Sequence, residues 1–289
     1  MQEFIYKALG TSWCLLVDAP EFPEAAREVV LDYVTDFEKR FSRFLPDSEV
    51  NAFRTSGAGE YPISPEFMTL LRRADRLRTL TAGSYDPAMA NLLERAGYGG
   101  KQMESPDGDV EKFSLPHWEL SGEKLVIDGP VAFDLGGTGK GYCIDGVAAV
   151  LRRLGYEYFL VDGGGDMVGT KKRDGSAWHI ALEYPGKKDT AAGTLELSHQ
   201  GLAVSDSFRR RWGKWHHIVN PKEKKAVEGI IGCMAVAQDA WAADSVTSGL
   251  FLTSAERYGA LSLEFQAEYL VFYQDGQVRK SPHWNGELF

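Results

Sequence analysis

Apolar residues at Ala26, Val30, Tyr33, Phe37 and Phe41 keep helical spacing, while Arg27, Glu28, Asp32, Lys39 and Arg40 occupy the opposite face. The pattern predicts a covering helix over 23–44. Ser64-Pro65-Glu66 combines a capping hydroxyl, a first-turn proline and an early acid, and opens a second helix that runs to about Leu80 before Gly83 stops it. Ile144, Val147, Ala148, Leu151 and Leu154 repeat in the same way over 142–154, with Gly155 as a left-handed end. A fourth helix starts at Asp239 and carries Trp241, Ala243, Val246, Leu250 and Phe251. Alternating or β-rich runs predict strands at 8–17, 125–127, 131–135, 158–161, 178–182, 194–197, 202–205 and 215–219, and a strand pair within 261–273. The tail after Lys280 reads as a loosely packed end. Residues 97–113, with Gly97, Gly99, Gly100, Pro106 and Gly108, are the best place for an insertion or a mobile flap. With no repeat and no clear linker, residues 1–289 read as one compact unit.

Composition narrows the function classes. A hydrophobic content of 44% and a charged content of 25% are ordinary for a soluble globular protein. A formal charge of −9 argues against a general nucleic-acid binder, and it means that an anionic ligand needs local help from a metal, a helix end or a lysine. Cys14, Cys143 and Cys233 are odd in number and far apart, which speaks against a disulfide framework or a zinc site. No run approaches the roughly 20 apolar residues that span a bilayer. The sequence as written begins without a signal peptide and predicts a cytoplasmic protein, or an exported or membrane-associated one if a leader has been removed.

The chemistry concentrates at Phe133 to Gly141, FDLGGTGKG, where an apolar run enters an acid and four glycines within six residues lead into a helix. Strand, glycine turn and helix start can point backbone N–H groups at an anion, which makes a phosphate cradle; the plainer alternative is a tight turn between a strand and its covering helix. A P-loop does not fit, because Asp134 stands where a glycine is needed and Gly141 where a hydroxyl is needed. Asp162 to Asp166 is a second glycine cluster after a second strand, and the two clusters can line one cleft. Asp244 and Ser248, four residues apart, project from one helix face. One carboxylate, one hydroxyl and a few main-chain carbonyls suit Mg²⁺, although the pair could equally be a solvated or capped helix face. His217 is either a site residue or a satisfied strand histidine, with His216 facing the other way. Arg209, Arg210 and Arg211 form a solvated edge or a ligand clamp.

Six ordered stretches resemble the ApbE family, the FAD:protein FMN transferases. They are Phe133 to Tyr142 with Asp145, Phe41-Ser42-Arg43-Phe44 with Asp47-Ser48-Glu49, Tyr85-Asp86-Pro87, Val161 to Asp166, His216 to Pro221, and Ala243 to Phe251. The resemblance implies an α+β fold, a largely antiparallel sheet flanked by helices and T-fold-like, around a central flavin cleft. It implies an enzyme that cleaves FAD at its diphosphate, releases AMP, and attaches FMN by a phosphodiester to a threonine or serine of a partner protein. By position, Asp244 and Ser248 with a carbonyl from Gly137 or a neighbour would hold Mg²⁺. Phe44, Ser84, Tyr85, Asp86, Asp134, Thr138, Lys140 and Ile218 would line the FAD site. His217 would deprotonate or orient the acceptor hydroxyl, with Asp244 the other catalytic residue. Ser248 replaces the family's threonine, Asn220 an aspartate, Gly139 an alanine, and Asp206 a glycine. The same site could serve a hydrolase that yields FMN and AMP, or a non-catalytic FAD-binding protein.

Overall fold

The computed structural model describes residues 1–99 and 110–289. Eight strands make its main sheet: β1 (Gln2–Ala8), β2 (Thr11–Val17), β3 (Phe159–Asp162), β4 (Met167–Gly169), β5 (Gln200–Asp206), β6 (Ile230–Ala237), β7 (Glu268–Tyr273) and β8 (Val278–Lys280). They lie side by side in chain order, and every neighbouring pair is antiparallel. Among the described residues six α-helices accompany it: α1 (Glu24–Phe41), α2 (Pro65–Leu80), α3 (Ala90–Arg95), α4 (Gly139–Arg153), α5 (Ala240–Phe251) and α6 (Tyr258–Phe265). Smaller sheets join 59–62, 118–121 and 124–127, and 178–183, 191–197 and 287–288. The α+β reading with a large antiparallel sheet holds.

Side-chain alternation along the strands builds a core on each face of the sheet. On β6, Cys233, Ala235 and Ala237 turn towards α5 together with Ala203 of β5, whereas Met234 and Val236 turn towards Trp178, Leu182, Leu195, Leu197 and Trp284 of the small sheet and tail. The helix-facing side chains are small, so α5 can lie close to the strands. Over the other half of the sheet, α1 and α4 bury Val30, Val34, Phe37, Ile144, Val147 and Leu151 against Trp13, Leu15 and Val161. Among the described residues no helix is long and apolar enough to cross a membrane.

Several sequence expectations change. The strand predicted from 8 starts only at Thr11, because Leu9 and Gly10 take positive φ in a tight turn that pairs β2 with β1, a strand the sequence reading omits. Residues 131–135 are extended but form no strand; Val131 and Phe133 donate their amides to the Phe53 and Val50 carbonyls, across irregular chain. The strand pair expected within 261–273 is α6 followed by β7, with Gln266 in the left-handed region between them. The strand at 215–219 breaks into Trp215–His216 and Val219–Asn220. The tail is packed: Ser281 and Trp284 are buried, and Glu287–Leu288 pairs with the strand at 191–197. Of the expected flap at 97–113, residues 100–109 lie outside the described residues, while Val110 and Phe113 are buried.

Where α4 crosses α5 the two backbones nearly touch. A Cβ on Gly141 would run into the Ala240 carbonyl oxygen and come within 2.8 Å of Asp244 Cβ. Each helix also caps the other. Asp145 of α4 accepts the amides of Ala240 (3.0 Å) and Trp241 (2.9 Å), and Asp244 of α5 accepts the amide of Gly141 at 2.9 Å. Burial, then the nearby Asp239 charge, pushes the Asp145 carboxyl up to about 7.

Gly141→Ala is expected to destabilise the protein by about 2–3 kcal/mol through overpacking against rigid backbone. Gly259→Ala, at an exposed helical position with nothing near its Cβ, should be neutral or slightly stabilising. Denaturant melts of the two variants check the contrast, and equal effects would remove Gly141 as a close-approach residue. For Asp145→Asn the sign follows from the raised pKa: ionising Asp145 between its unfolded value and about 7 weakens the folded state, so the stability advantage of the native carboxyl should narrow as pH rises from 5 to 8. A gap that widens over that range would mean that the two amides outweigh burial and hold the Asp145 carboxyl below its ordinary value.

Candidate functional site

The glycine turn of 136–141 is shaped by its own hydrogen bonds. Gly136 donates its amide to Asp134 Oδ1 at 2.6 Å, Thr138 and Gly139 donate theirs to the Leu135 carbonyl, and Gly141 donates to Asp244. The turn is therefore not a row of free N–H groups, and the phosphate-cradle reading needs correcting. What it presents instead is oxygen and one cation. The Gly137 carbonyl accepts the Ser248 hydroxyl at 2.6 Å, and a Cβ at Gly137 would lie 2.8 Å from the Tyr85 ring and 2.9 Å from Ser248 Oγ. Only glycine lets the turn enter between these two side chains. Lys140 Nζ lies 2.8 Å from Asp166 Oδ2, which places the second glycine cluster beside the first.

Asp244 sits at the centre of this arrangement, 3% exposed. Burial first, and then the charge of Asp166, pushes its carboxyl up to about 7, while Lys140 and the Gly141 amide oppose the rise. Asp166 is itself fixed by the Val204 amide at 2.9 Å. The Tyr85 and Thr138 hydroxyls are buried beside the turn and face each other, with no further partner among the described residues. Burial raises the Tyr85 phenol, so it stays a neutral donor.

Other predicted residues surround this centre in different ways. Asp134 Oδ2 pairs with Arg43 Nε at 2.6 Å, and the Arg43 guanidinium lies 4.2 Å from the Phe44 ring centre and 4.7 Å from that of Tyr98. Phe44 remains half exposed at the edge of that stack. Asp86 is engaged structurally: its Oδ1 accepts the Ala88 amide and the Trp118 indole N–H, both at 2.9 Å. Burial still raises its pKa. Ser84 and Ile218 are half-buried, and Ile218 packs against the α5 core.

His217 Nδ1 lies 3.2 Å from the Arg209 carbonyl, which can only accept, so Nδ1 carries the proton and Nε2 keeps its lone pair. Desolvation of the ring, and then Arg210, His216 and Lys140, push the imidazole down to about 3. It is neutral near pH 7. His216 is buried with Nε2 on the Val227 carbonyl at 2.8 Å, a structural histidine. Asp206 is also structural, accepting the amides of Phe208 and Arg209 and pairing with the Arg209 guanidinium at 3.0 Å.

Sequence reasoning did not single out Arg43, Asp145 or Asp166, although each lies in a stretch it quoted. The signal for Asp166 was the need of Lys140 for a partner. Arg43 could have been sought as the counter-charge of Asp134.

The sequence model of the ApbE family matches residues 9–270. The FAD:protein FMN transferase of Vibrio cholerae serotype O1 is 25% identical over 258 residues, covering 84% of this chain and 76% of that protein. That of Haemophilus influenzae is 25% identical over 285 residues, covering 89% and 82%. Among solved structures, the flavin transferase ApbE from Vibrio cholerae superposes with a TM-score of 0.84 at 22% identity over 97% of this chain and 96% of that one. The ApbE protein of Thermotoga maritima gives a TM-score of 0.84 at 22% identity over 97% of both chains. These likenesses bear out the ApbE-like fold, and the match over nearly the whole sequence bears out the resemblance seen in its motifs: the chain belongs to the ApbE family.

Proposed function

We propose that this chain is a FAD:protein FMN transferase, which cleaves the FAD diphosphate, joins FMN to a threonine or serine of an acceptor protein and releases AMP. The observation that carries the reading is the meeting of Asp244, Ser248, the Gly137 carbonyl and Lys140 at the α4–α5 crossing, in a chain of this family.

The donor set fits Mg²⁺. Asp244, Ser248 and Gly137 offer only oxygen, the donor type that a hard cation takes. The raised Asp244 pKa marks a buried carboxylate short of positive charge. Bound there, Mg²⁺ would polarise the phosphoryl oxygens and offset their charge.

The remaining roles fall to side chains. Phe44 offers an aromatic face for the flavin or adenine ring, and the paired Tyr85 and Thr138 hydroxyls offer hydrogen bonds to phosphate oxygens. His217 Nε2 takes the proton of the acceptor hydroxyl as that oxygen bonds to the FMN phosphorus. The bond between the FMN phosphorus and the bridging oxygen breaks, and AMP leaves with that oxygen beside the Lys140 ammonium. A base held down to about 3 in the free protein is a weak one. Because the Lys140 ammonium contributes to that depression, an anionic diphosphate beside it raises the imidazole pKa back towards neutral pH.

Incubation with FAD, Mg²⁺ and an acceptor should give AMP together with a flavin-fluorescent acceptor band on a denaturing gel, and a chelator should suppress both. Bound, intact FAD after prolonged incubation would leave only the binding-protein reading. Asp244→Asn keeps an acceptor for the Gly141 amide but removes the charge. Its FAD cleavage should fall roughly 1000-fold with a native melting profile, and near-normal, still metal-dependent turnover would strike Asp244 from the ligands. His217→Ala is expected to slow single-turnover transfer by about 100-fold or more while FAD affinity changes little. The opposite split, with affinity lost and transfer kept, would make it a binding residue.

A further inference from the structure

The chain is acidic overall, with a net charge of −9, yet residues 208–225 contain seven lysines and arginines against one acid, Glu223. They fold as two short hairpins, Arg211–Trp212 on Trp215–His216 and Val219–Asn220 on Lys225–Ala226. The inner side is anchored: the Trp212 indole donates to the Ala96 carbonyl at 2.5 Å and stacks on Tyr98, and Trp215 and Val219 are buried. The outer side is cationic. Arg209 is matched by Asp206 and Glu183, and Lys222 and Lys224 reach backbone carbonyls. Arg210, Arg211 and Lys214 are exposed and have no carboxylate partner among the described residues. Phe208 stands exposed beside them, with the Arg211 guanidinium 5.8 Å from its ring centre.

This group of unmatched cations has a defined place relative to the chemistry. The Arg209 carbonyl holds His217 Nδ1, so an acceptor hydroxyl that reaches Nε2 arrives on chain that passes over the same hairpin. Unpaired like charges on a rigid platform repel one another and are relieved by an acidic surface, which they also attract over distance. An exposed ring with a guanidinium beside it fits the apolar contact at the centre of such an interface.

We propose that the hairpin of residues 208–216, through Phe208, Arg210, Arg211 and Lys214, is the docking surface for the acceptor protein and takes an acidic face of it. The proposal rests on the transferase reading and adds the partner's chemistry to it.

The probe is a fluorescein-labelled peptide with one threonine and six aspartates, compared with a twin carrying asparagines, titrated by anisotropy into the full protein with FAD and Mg²⁺. The acidic peptide should bind at least about tenfold tighter than its twin, and more weakly as salt rises. Arg210→Glu/Arg211→Glu/Lys214→Glu should lose that preference, whereas Lys39→Glu/Arg153→Glu/Lys280→Glu, an equal change of charge at exposed positions of α1, α4 and β8, should retain it. FAD affinity should be unchanged in both. Equal binding of the twins, or an undiminished preference in the first variant, overturns the proposal. So does a loss of FAD affinity in that variant, which would assign the cations to the nucleotide. Phosphatidylglycerol vesicles that displace the acidic peptide would point to a membrane instead. AMP release is read separately: its absence alongside selective peptide binding sinks the transferase reading and leaves the acidic-surface dock standing.

Discussion

Two helices that cap each other hold the candidate site together. Asp145 reaches from α4 to the first amides of α5, and Asp244 reaches back from α5 to the Gly141 amide of α4. Asp244 is buried and Asp145 half-buried, and desolvation drives both towards the uncharged form, so the crossing stores unfavourable charge at the point where a cation would be most welcome. The glycines of the turn follow from the same constraint: Gly141 admits the α5 backbone, and Gly137 passes between Tyr85 and Ser248.

The charges around this crossing divide into two groups with different tasks. Asp86, Asp134, Asp145 and Asp206 are tied to protein donors, and they hold the 84–87 turn, the Arg43–Phe44 stack, α5 and the cationic hairpin in position. Asp244 and Asp166 each hold one backbone amide as well, but they also share the Lys140 ammonium, which leaves the local field adjustable. That contrast explains how a chain with an excess of acid can still receive a diphosphate: most nearby carboxylates already have donors.

Much of this was legible in the sequence, and the parts that were not share a cause. The helices α1 and α4 came from apolar spacing, α2 and α5 from their start signals, and Ser64 and Asp239 do cap their helices as expected. The motif order identified the family, and with it the residues that gather at the α4–α5 crossing. The misreadings lie where tertiary partners decide. Residues 131–135 have a strand's composition but bond to irregular chain, and 258–265 is too apolar all round to betray its helical period. The glycine turn looked like an anion cradle because spacing alone cannot show that Asp134, Leu135 and Asp244 already receive its amides. Arg43 and Asp166 stayed hidden because their partners lie far along the chain.

The chain-order pairing of the main sheet has a consequence for how the chain comes together. Six of its seven strand pairings join neighbours across a modest interval, but seating β2 on β3 ties Val17 to Phe159 across everything in between. Loop-closure entropy for the sheet is therefore concentrated at one seam. Whenever that seam is open, Phe159-Leu160-Val161 offers an unpaired apolar strand edge to any passing chain, and the terminal hairpin is what closes it.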